Sequence, residues 1–222
     1  MCGRYTLRVP PGAVRDRFGV PVDGVGDCVP TYNAAPGQRL PVVRREDGVS
    51  VDRLRWGLVP SWADEDDGGH INARAETVDE KPTFADAYES RRCLVPADGF
   101  YEWKDGAPYY VGLDRVVSLA GVWERWVPER RQSGLGEFGG KGAGGEEAVE
   151  AFAVLTTEPN QQVARLHHRM AAVLAEEDED GWLDGSLGAG DLGPRDEPAE
   201  VRRVSDRVND PSNDDESLVE GV

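Results

Sequence analysis

The chain has 222 residues and a formal net charge of -17, with 42 acidic residues against 25 basic ones. This length allows one large domain or at most two small ones. Three cysteines without a Cys-x-x-Cys pair exclude a disulfide framework and a cysteine zinc site. No apolar stretch approaches the length of a membrane span, and no signal peptide is recognisable, so we expect a soluble cytoplasmic protein.

The charge is unevenly distributed along the chain. Residues 1–60 hold nine Arg against six acidic residues, whereas residues 176–222 hold sixteen acidic residues against four Arg. Only three lysines occur in the sequence. A widely spread acidic surface with few lysines predicts a halophilic protein, adapted to high intracellular salt. The negative charge disfavours a nucleic-acid partner, although an arginine-lined groove is compatible with it.

The first half of the chain predicts two helices and a hairpin. Residues 10–18 begin with two prolines, which is typical of a helix start. Residues 39–45 and 51–56 flank an Asp-Gly pair at 47–48, a strong hairpin signal. Residues 83–91 predict a second helix, because their apolar side chains recur at helical spacing.

The second half of the chain predicts mainly strands. They are expected at 93–96, 99–104, 108–113, 116–126, 151–157 and near 201–208. Short helices are expected at 160–166 and 176–183, with an apolar, extended segment at 170–174.

Many short strands with short helices between them predict an α+β fold. We expect one domain over residues 1–222, with a curved, barrel-like, mainly antiparallel sheet flanked by short helices. A Gly-rich polar insertion at about 131–147 is expected to be a flexible surface loop. Residues from about 210 to 222 form an acidic C-terminal end.

The N-terminal Cys2 is a candidate nucleophile. Its small side chain predicts removal of Met1, which would leave an α-amine and a thiol on one residue. These groups have ordinary pKa values of about 7.7–8.0 and about 8.5. An amine condenses with an aldehyde to a Schiff base, and a neighbouring thiol can close that imine into a five-membered thiazolidine. Cys2 therefore points to a carbonyl partner, with a buried structural thiol as the alternative.

Glu102 is a candidate acid or base. It lies in an aromatic segment at 100–103, where desolvation would raise its pKa toward the range of a general acid or base. The alternative is an exposed strand glutamate.

Seven segments of the chain together resemble one known family. They are residues 2–5 (Cys-Gly-Arg-Tyr), 32–36 (Tyr-Asn-Ala-Ala-Pro), 55–62 (Arg-Trp-Gly-Leu-Val-Pro-Ser-Trp), 72–77 (Asn-Ala-Arg-Ala-Glu-Thr), 99–103 (Gly-Phe-Tyr-Glu-Trp), 167–170 (His-His-Arg-Met) and 204–209. In this order they resemble the SRAP family, the SOS response-associated peptidase domain proteins, over nearly the whole chain. One departure is Ala171, where the family usually has a proline.

The resemblance implies a role in the DNA damage response. Members of the family bind abasic sites in single-stranded DNA and crosslink to them through the N-terminal cysteine, and the thiazolidine shields the lesion. The resemblance implies catalytic roles for Cys2, Glu102, His167 and Asn72, with neither metal nor cofactor. The His-x-Arg-Met pattern selects His167, so we expect the neighbouring His168 to be solvated.

The resemblance also implies a DNA-binding surface. The residues expected to contact DNA are Arg4, Asn33, Trp56, Trp62, Arg74, Trp103 and Arg169. The arginines would bind phosphates, the tryptophans would stack on bases or wedge a junction open, and the asparagine would line the pocket around the nucleophile. Each tryptophan has core packing as its alternative, and Arg74 has an ion pair with a neighbouring acid.

Three functions remain open from the sequence. The first is a reversible covalent bond to abasic sites, with β-elimination (AP lyase) as a side activity. The second is a cysteine-type peptidase with Cys2 as nucleophile and His167 as base, although no oxyanion hole is recognisable. The third is a non-catalytic binder of DNA ends or junctions. We expect a monomer that binds single-stranded DNA and no membrane, with replication or repair proteins as candidate partners of the acidic end.

Overall fold

A computed structural model describes residues 2–20, 30–128, 148–196 and 199–222. The α-helices in these ranges are α1 (Pro11–Phe18), α2 (Ala85–Ser90) and α3 (Glu179–Asp184). The strands are β1 (Tyr5–Leu7), β2 (Thr31–Ala34), β3 (Arg39–Arg45), β4 (Val49–Trp56), β5 (Asn72–Arg74), β6 (Arg92–Lys104), β7 (Ala107–Trp126), β8 (Val149–Thr157), β9 (Met170–Ala171), β10 (Val173–Leu174) and β11 (Ala199–Arg203). No helix in the described part of the chain is long and apolar enough to cross a membrane.

The described strands form a single 11-stranded sheet. Its hydrogen-bonded path runs β10-β7-β8-β4-β3-β6-β1-β2, and β6 also pairs with β7. β7, β8, β4, β3 and β6 therefore close a ring, from which the remaining strands branch. Only β4 with β8 and β5 with β8 pair in parallel among the described strands. The fold is α+β with few short helices, as expected, and the sheet is ring-like rather than a true barrel.

The predicted helices and hairpin of the first half are confirmed. α1 begins directly after Pro10 and ends at Gly19, whose φ of 63° lies in the left-handed region that favours glycine. β3 and β4 pair from Arg39 opposite Arg55 to Arg45 opposite Val49, around the predicted Asp-Gly turn. α2 and α3 lie at the helices predicted for 83–91 and 176–183.

In two places, two strands predicted separately form one long strand in the structure. β6 covers both 93–96 and 99–104, because a bulge between Ala97 and Gly99 carries the pairing with β7 past the strand-breaking residues. Gly99 is required at this bulge, since a Cβ there would lie 2.2 Å from the hydroxyl oxygen of Tyr110. β7 likewise joins 108–113 to 116–126.

Three other predictions differ from the structure or fall outside it. The helix expected at 160–166 is a 3₁₀ helix at Val163–Arg165, because the Asn160 side chain caps a short turn. The last strand ends at Arg203 rather than near 208, and the hydroxyl of Ser205 then caps a 3₁₀ helix at Asp206–Asn209. The Gly-rich insertion at 131–147 lies outside the described residues.

The two faces of the sheet pack against different partners. One face brings together side chains from all five ring strands, including Trp56 and Phe152, and Cys2 belongs to this cluster. The opposite face packs against the helices, where Val14 of α1 and Trp182 of α3 are buried. Burial of such side chains stabilises the fold by about 1.5–3 kcal/mol each. The N-terminus is thus inserted into the core of the ring.

Candidate active site

Cys2 is fully buried just before β1. Its thiol donates a weak hydrogen bond to the carbonyl of Arg4 over 3.8 Å. The side-chain amide of Asn72 donates to the carbonyl of Cys2 over 2.9 Å, which ties the start of β5 to the N-terminus. Burial raises the pKa of the Cys2 thiol well above its ordinary value, and the negative charge of Glu102 adds to the effect. The thiol is therefore protonated at neutral pH.

Glu102 lies beside the N-terminal segment because β6 pairs with β1. Tyr5 is opposite Phe100, and the amide of Tyr101 donates to the carbonyl of Arg4 over 3.0 Å. The Glu102 side chain is 1% exposed, so burial raises the pKa of its carboxyl to about 7, although the positive N-terminal amine opposes the shift. A carboxyl with this pKa gives and takes protons equally well at neutral pH.

His167 is a third titratable side chain near the start of the chain, after Cys2 and Glu102. The ring is half-buried, and its Nδ1 accepts a hydrogen bond from the amide of Arg169 over 3.1 Å. Burial lowers the pKa of His167, and the positive N-terminal amine lowers it further. The ring is therefore neutral at pH 7, and its Nδ1 also lies 3.2 Å from the carbonyl oxygen of Arg169. His168 is exposed, in agreement with the sequence, and its ring centroid lies 4.3 Å from that of His167.

A cavity of about 310 Å³ opens beside Asn72. The described residues that line it are Asn72, Ala73, Arg74, Thr77, Lys81, Thr83, Phe84 and Thr156. None of these eight is acidic, two are cationic and one is aromatic. Oδ1 of Asn72 is buried without a hydrogen-bond partner among the described residues. The cavity is suited to a ligand that combines negative charge with a planar ring.

Arg169 is buried in an ion pair rather than presented to a ligand. Its guanidinium donates to both carboxylate oxygens of Glu76, over 2.6 and 2.8 Å, and also to the carbonyl of Thr156. These hydrogen bonds hold the pKa of Glu76 below its ordinary range. The structure thus assigns Arg169 to the support of the His167 loop and places no free guanidinium face there for a phosphate.

Asn33 also has a different place from the one expected. Its side chain is fully buried, and Nδ2 faces the carbonyls of Val208, Asp210 and Asn213 over 3.2, 3.1 and 2.8 Å. The amide therefore fastens the C-terminal segment to β2 instead of lining the pocket around Cys2.

Arg4 and Trp103 meet at the same C-terminal segment. The guanidinium of Arg4 donates to the main-chain carbonyl of Asn209 over 3.2 Å. The indole of Trp103 donates to the side-chain oxygen of Asn209 over 2.9 Å. Sequence analysis gave Asn209 no role of its own, although it ends the last family-like segment.

The two remaining tryptophans have opposite environments. Trp56 is fully buried, with its ring 5.2 Å from that of Tyr5 and 6.2 Å from that of Phe152. No face of Trp56 is open to a base. Trp56 is therefore a core residue, which the sequence analysis gave as the alternative to DNA binding. Trp62 is 61% exposed, and its indole donates to the carbonyl of Pro82 over 3.3 Å, close to the cavity.

The sequence motifs include Asn72 and Arg74 of the cavity lining and miss several of the other lining residues. Lys81, Thr156 and Phe84 carry no motif of their own, and only the fold brings them beside Asn72. Within the described residues, no group of three His, Cys, Asp or Glu side chains could hold a metal ion.

Comparisons with known proteins agree on one family. The family model described as SOS response associated peptidase (SRAP) matches residues 1–211. The abasic site processing protein YoqW of Bacillus subtilis is 33% identical over 238 residues, with 99% of both chains covered. The abasic site processing protein HMCES of Xenopus tropicalis is 30% identical over 235 residues, with 83% of this chain and 66% of that protein covered. A crystal structure of a protein from Bacteroides thetaiotaomicron matches with a TM-score of 0.81 and 27% identity, with all of both chains covered.

Proposed function

The chain belongs to the SOS response associated peptidase (SRAP) family, and we propose that it processes abasic sites in DNA by capturing them covalently through Cys2. Relatives named as abasic site processing proteins match it from end to end, which supports the substrate class. The observation that carries the chemistry is the burial of the Cys2 thiol beside the Glu102 carboxyl at the start of the chain, with the His167 ring near the same place.

The first step is the exposure of the reactive amine. Removal of Met1 leaves Cys2 with a primary amine next to its thiol. Since the thiol is protonated at neutral pH, the amine attacks first, at the C1′ aldehyde of the ring-opened abasic sugar. Neutral His167 first takes the proton of the C1′ hydroxyl, which becomes the aldehyde, and gives it to the sugar ring oxygen as the C1′–O bond of the ring breaks.

The second step is dehydration and ring closure. Protonated Glu102 gives its proton to the hydroxyl of the carbinolamine, which leaves as water and produces an iminium ion. The thiol then adds to the imine carbon, and its proton returns to the Glu102 carboxylate. One C–N bond and one C–S bond form, and one water is lost. Asn72 holds the carbonyl of Cys2 throughout, so the amine and thiol keep one orientation.

The DNA strand lies along the cationic cavity beside Asn72. Arg74 is exposed and contacts a phosphate, and Trp62 stacks on a base of the same strand. Arg4 reaches a second phosphate after its hydrogen bond to Asn209 is exchanged, and Trp103 borders the strand at the same place. Arg169, Trp56 and Asn33 support the site from within the fold and do not touch DNA.

Further features complete the proposal. Protonation of the thiazolidine by Glu102 reverses the crosslink, and the imine stage permits slow β-elimination at C2′. The protein acts as a monomer in the cytoplasm, where it shields lesions in single-stranded DNA during the damage response. Because cation–phosphate contacts weaken as the salt concentration rises, capture at high salt depends more on stacking and the covalent bond than on charge.

Intact-mass spectrometry tests the proposal. The purified protein should lack Met1 and, with an abasic single-stranded oligonucleotide, gain the oligonucleotide mass less one water. Cys2→Ser should give only a borohydride-trapped imine, because it keeps the amine and loses the thiol. Cys93→Ala, which removes another fully buried thiol, should crosslink like the wild type. Retention of Met1, or cleavage of peptides without an adduct, would favour the peptidase function instead.

A further inference from the structure

A pair of exposed arginines lies on the β3–β4 hairpin. Arg39 opens β3 and Arg53 lies near the end of β4, and both side chains are exposed. Arg39 donates to the carbonyl of Arg53 over 3.2 Å, and Arg53 donates to the carbonyl of Arg39 over 2.9 Å. The two guanidiniums are therefore held side by side by main-chain atoms.

The charge of this pair is not neutralised. Neither Arg39 nor Arg53 forms an ion pair within the part of the chain that the structure describes. Other arginines have carboxylate partners, as Arg17 has Glu179 and Arg44 has Asp52. A carbonyl partner occupies a few of the five N–H donors of a guanidinium and cancels no charge. Two adjacent cations without acidic partners are unexpected on a chain of net charge -17.

The pair borders a cavity of about 350 Å³. The eight described lining residues are Pro30, Thr31, Gln38, Arg39, Leu40, Pro41, Arg53 and Asp214. Asp214 is the one acid among them, and its carboxylate already accepts hydrogen bonds from the hydroxyl of Thr31 and the amide of Tyr32. Both guanidiniums keep N–H donors that none of the described hydrogen bonds uses. Such a site suits an anion with several oxygens, and the planar forks of two arginines suit a phosphodiester.

The topology places this cavity near the reactive N-terminus. The last residue of β2, Ala34, lies opposite Tyr5 of β1, and Arg39 follows Ala34 by five residues. At about 3.8 Å per residue plus about 5 Å across the strand pair, Arg39 lies within about 25 Å of Tyr5. A DNA strand covers that distance with about seven nucleotides at about 3.4 Å each.

We propose that Arg39 and Arg53 form a second binding site for the phosphodiester backbone of the DNA, several nucleotides away from the lesion held at Cys2. This inference rests on the proposed capture of abasic DNA. The site engages the flank of the substrate on the side of the β2–β3 loop. It makes capture depend on the length of one flank.

The salt dependence of non-covalent binding tests the site without any chemistry. In Arg39→Gln/Arg53→Gln, the slope of log affinity against log salt for an intact oligonucleotide should fall by about 1.4, since each phosphate contact on a single strand contributes about 0.7. Arg39→Lys/Arg53→Lys should keep most of the slope. Arg15→Gln/Arg115→Gln removes two charges that are paired with Asp16 and Glu176, so it should leave the slope unchanged. A wild-type slope in the Arg39→Gln/Arg53→Gln variant would overturn the proposal.

Substrates with one long flank identify which part of the DNA reaches the site. Oligonucleotides carry the abasic site about three nucleotides from one end and about ten from the other, in both polarities. The wild type should crosslink faster with one polarity, and the Gln variant should lose that gain while its rate with short flanks is unchanged. The long flank is then annealed to a complementary strand. If crosslinking stays faster, the site binds a duplex arm, and if the faster rate is lost, the site binds a single strand. A gain that survives in the Gln variant overturns the proposal, whereas a wild type that binds DNA but never crosslinks overturns the proposed function alone.

Discussion

The side-chain amide of Asn72 donates a hydrogen bond to the main-chain carbonyl of Cys2 over 2.9 Å. The two residues are 70 positions apart, and β5 brings them together because it pairs in parallel with β8. The amide nitrogen is thus used by the protein itself. The other amide atom, Oδ1, is buried without a partner among the described residues, and we expect it to accept a hydrogen bond from the amine or the sugar during capture.

Asn72→Asp is expected to slow crosslinking about tenfold at neutral pH. The substitution keeps the shape of the side chain and places a carboxylate oxygen against the carbonyl of Cys2, so the hydrogen bond of about 1.5 kcal/mol is lost. Single-turnover kinetics with an abasic oligonucleotide measure the rate. Asn72→Ala should be impaired similarly, and Thr77→Val, which changes another residue lining the same cavity, should not. A wild-type rate in Asn72→Asp would remove Asn72 from the mechanism.

The pH dependence of crosslinking should be bell-shaped, with its maximum between pH 7 and 8. Capture needs a neutral amine, whose ordinary pKa is about 7.7–8.0, and a protonated Glu102, whose pKa burial raises to about 7. The rate therefore falls below the maximum as the amine is protonated, and above it as Glu102 loses its proton. Glu102→Gln should be about a hundredfold slower and should lack the alkaline limb. An alkaline limb that persists in Glu102→Gln would assign it to another group.

The same carboxyl should make the folded state less stable as pH rises from about 4.5 to about 7. Because the folded pKa of Glu102 is raised, the native protein keeps a proton that the unfolded chain releases in this window. The contribution of Glu102 to the stability of the fold is fully present below its pKa in the unfolded chain. It is lost as the pH rises through its pKa in the folded protein. Glu102→Gln should remove this pH dependence, and above pH 8 its free energy of unfolding should exceed that of the wild type by roughly 3 kcal/mol. Urea denaturation at a series of pH values measures the difference, and parallel curves for both proteins would contradict it.

Arg169→Gln should destabilise the free protein, whereas Arg74→Gln should not. Arg169 is buried in its bidentate contact with Glu76, and its loss should cost about 2 kcal/mol without any DNA present. The pKa of Glu76 is lowered by Arg169, so this stabilisation exists above about pH 4.5 and is lost as pH falls below it. Arg74 is exposed, and its substitution should weaken DNA binding alone. Denaturation and DNA titration of both variants separate the two roles, and equal stability of Arg169→Gln and wild type would contradict this assignment.

The sequence predicted the local features of the fold and site better than the long-range ones. The Asp-Gly turn between β3 and β4 and the proline start of α1 act through neighbouring residues, and both are found. The burial of Glu102 also followed from its aromatic neighbours. The sequence predicts DNA contacts for Asn33 and Arg169 because it does not show which residues of the fold they bind. Those partners lie as far as 180 and 93 positions away, and only the assembled sheet brings them into contact.

Trp62→Ala should weaken non-covalent binding to single-stranded DNA by about 1–3 kcal/mol, or about 5- to 150-fold, since a stacked base contributes that much. The ring is 61% exposed beside the cavity that holds Arg74, so its removal should leave the melting temperature unchanged. Trp62→Phe should keep part of the affinity, because a smaller ring still stacks. Buried Trp56→Phe is the matched control, and it should lower the melting temperature. Anisotropy titration with an intact oligonucleotide gives the affinities, and quenching of tryptophan fluorescence by DNA should decrease in Trp62→Ala. Unchanged affinity in Trp62→Ala would show that the strand takes a path away from this side of the cavity.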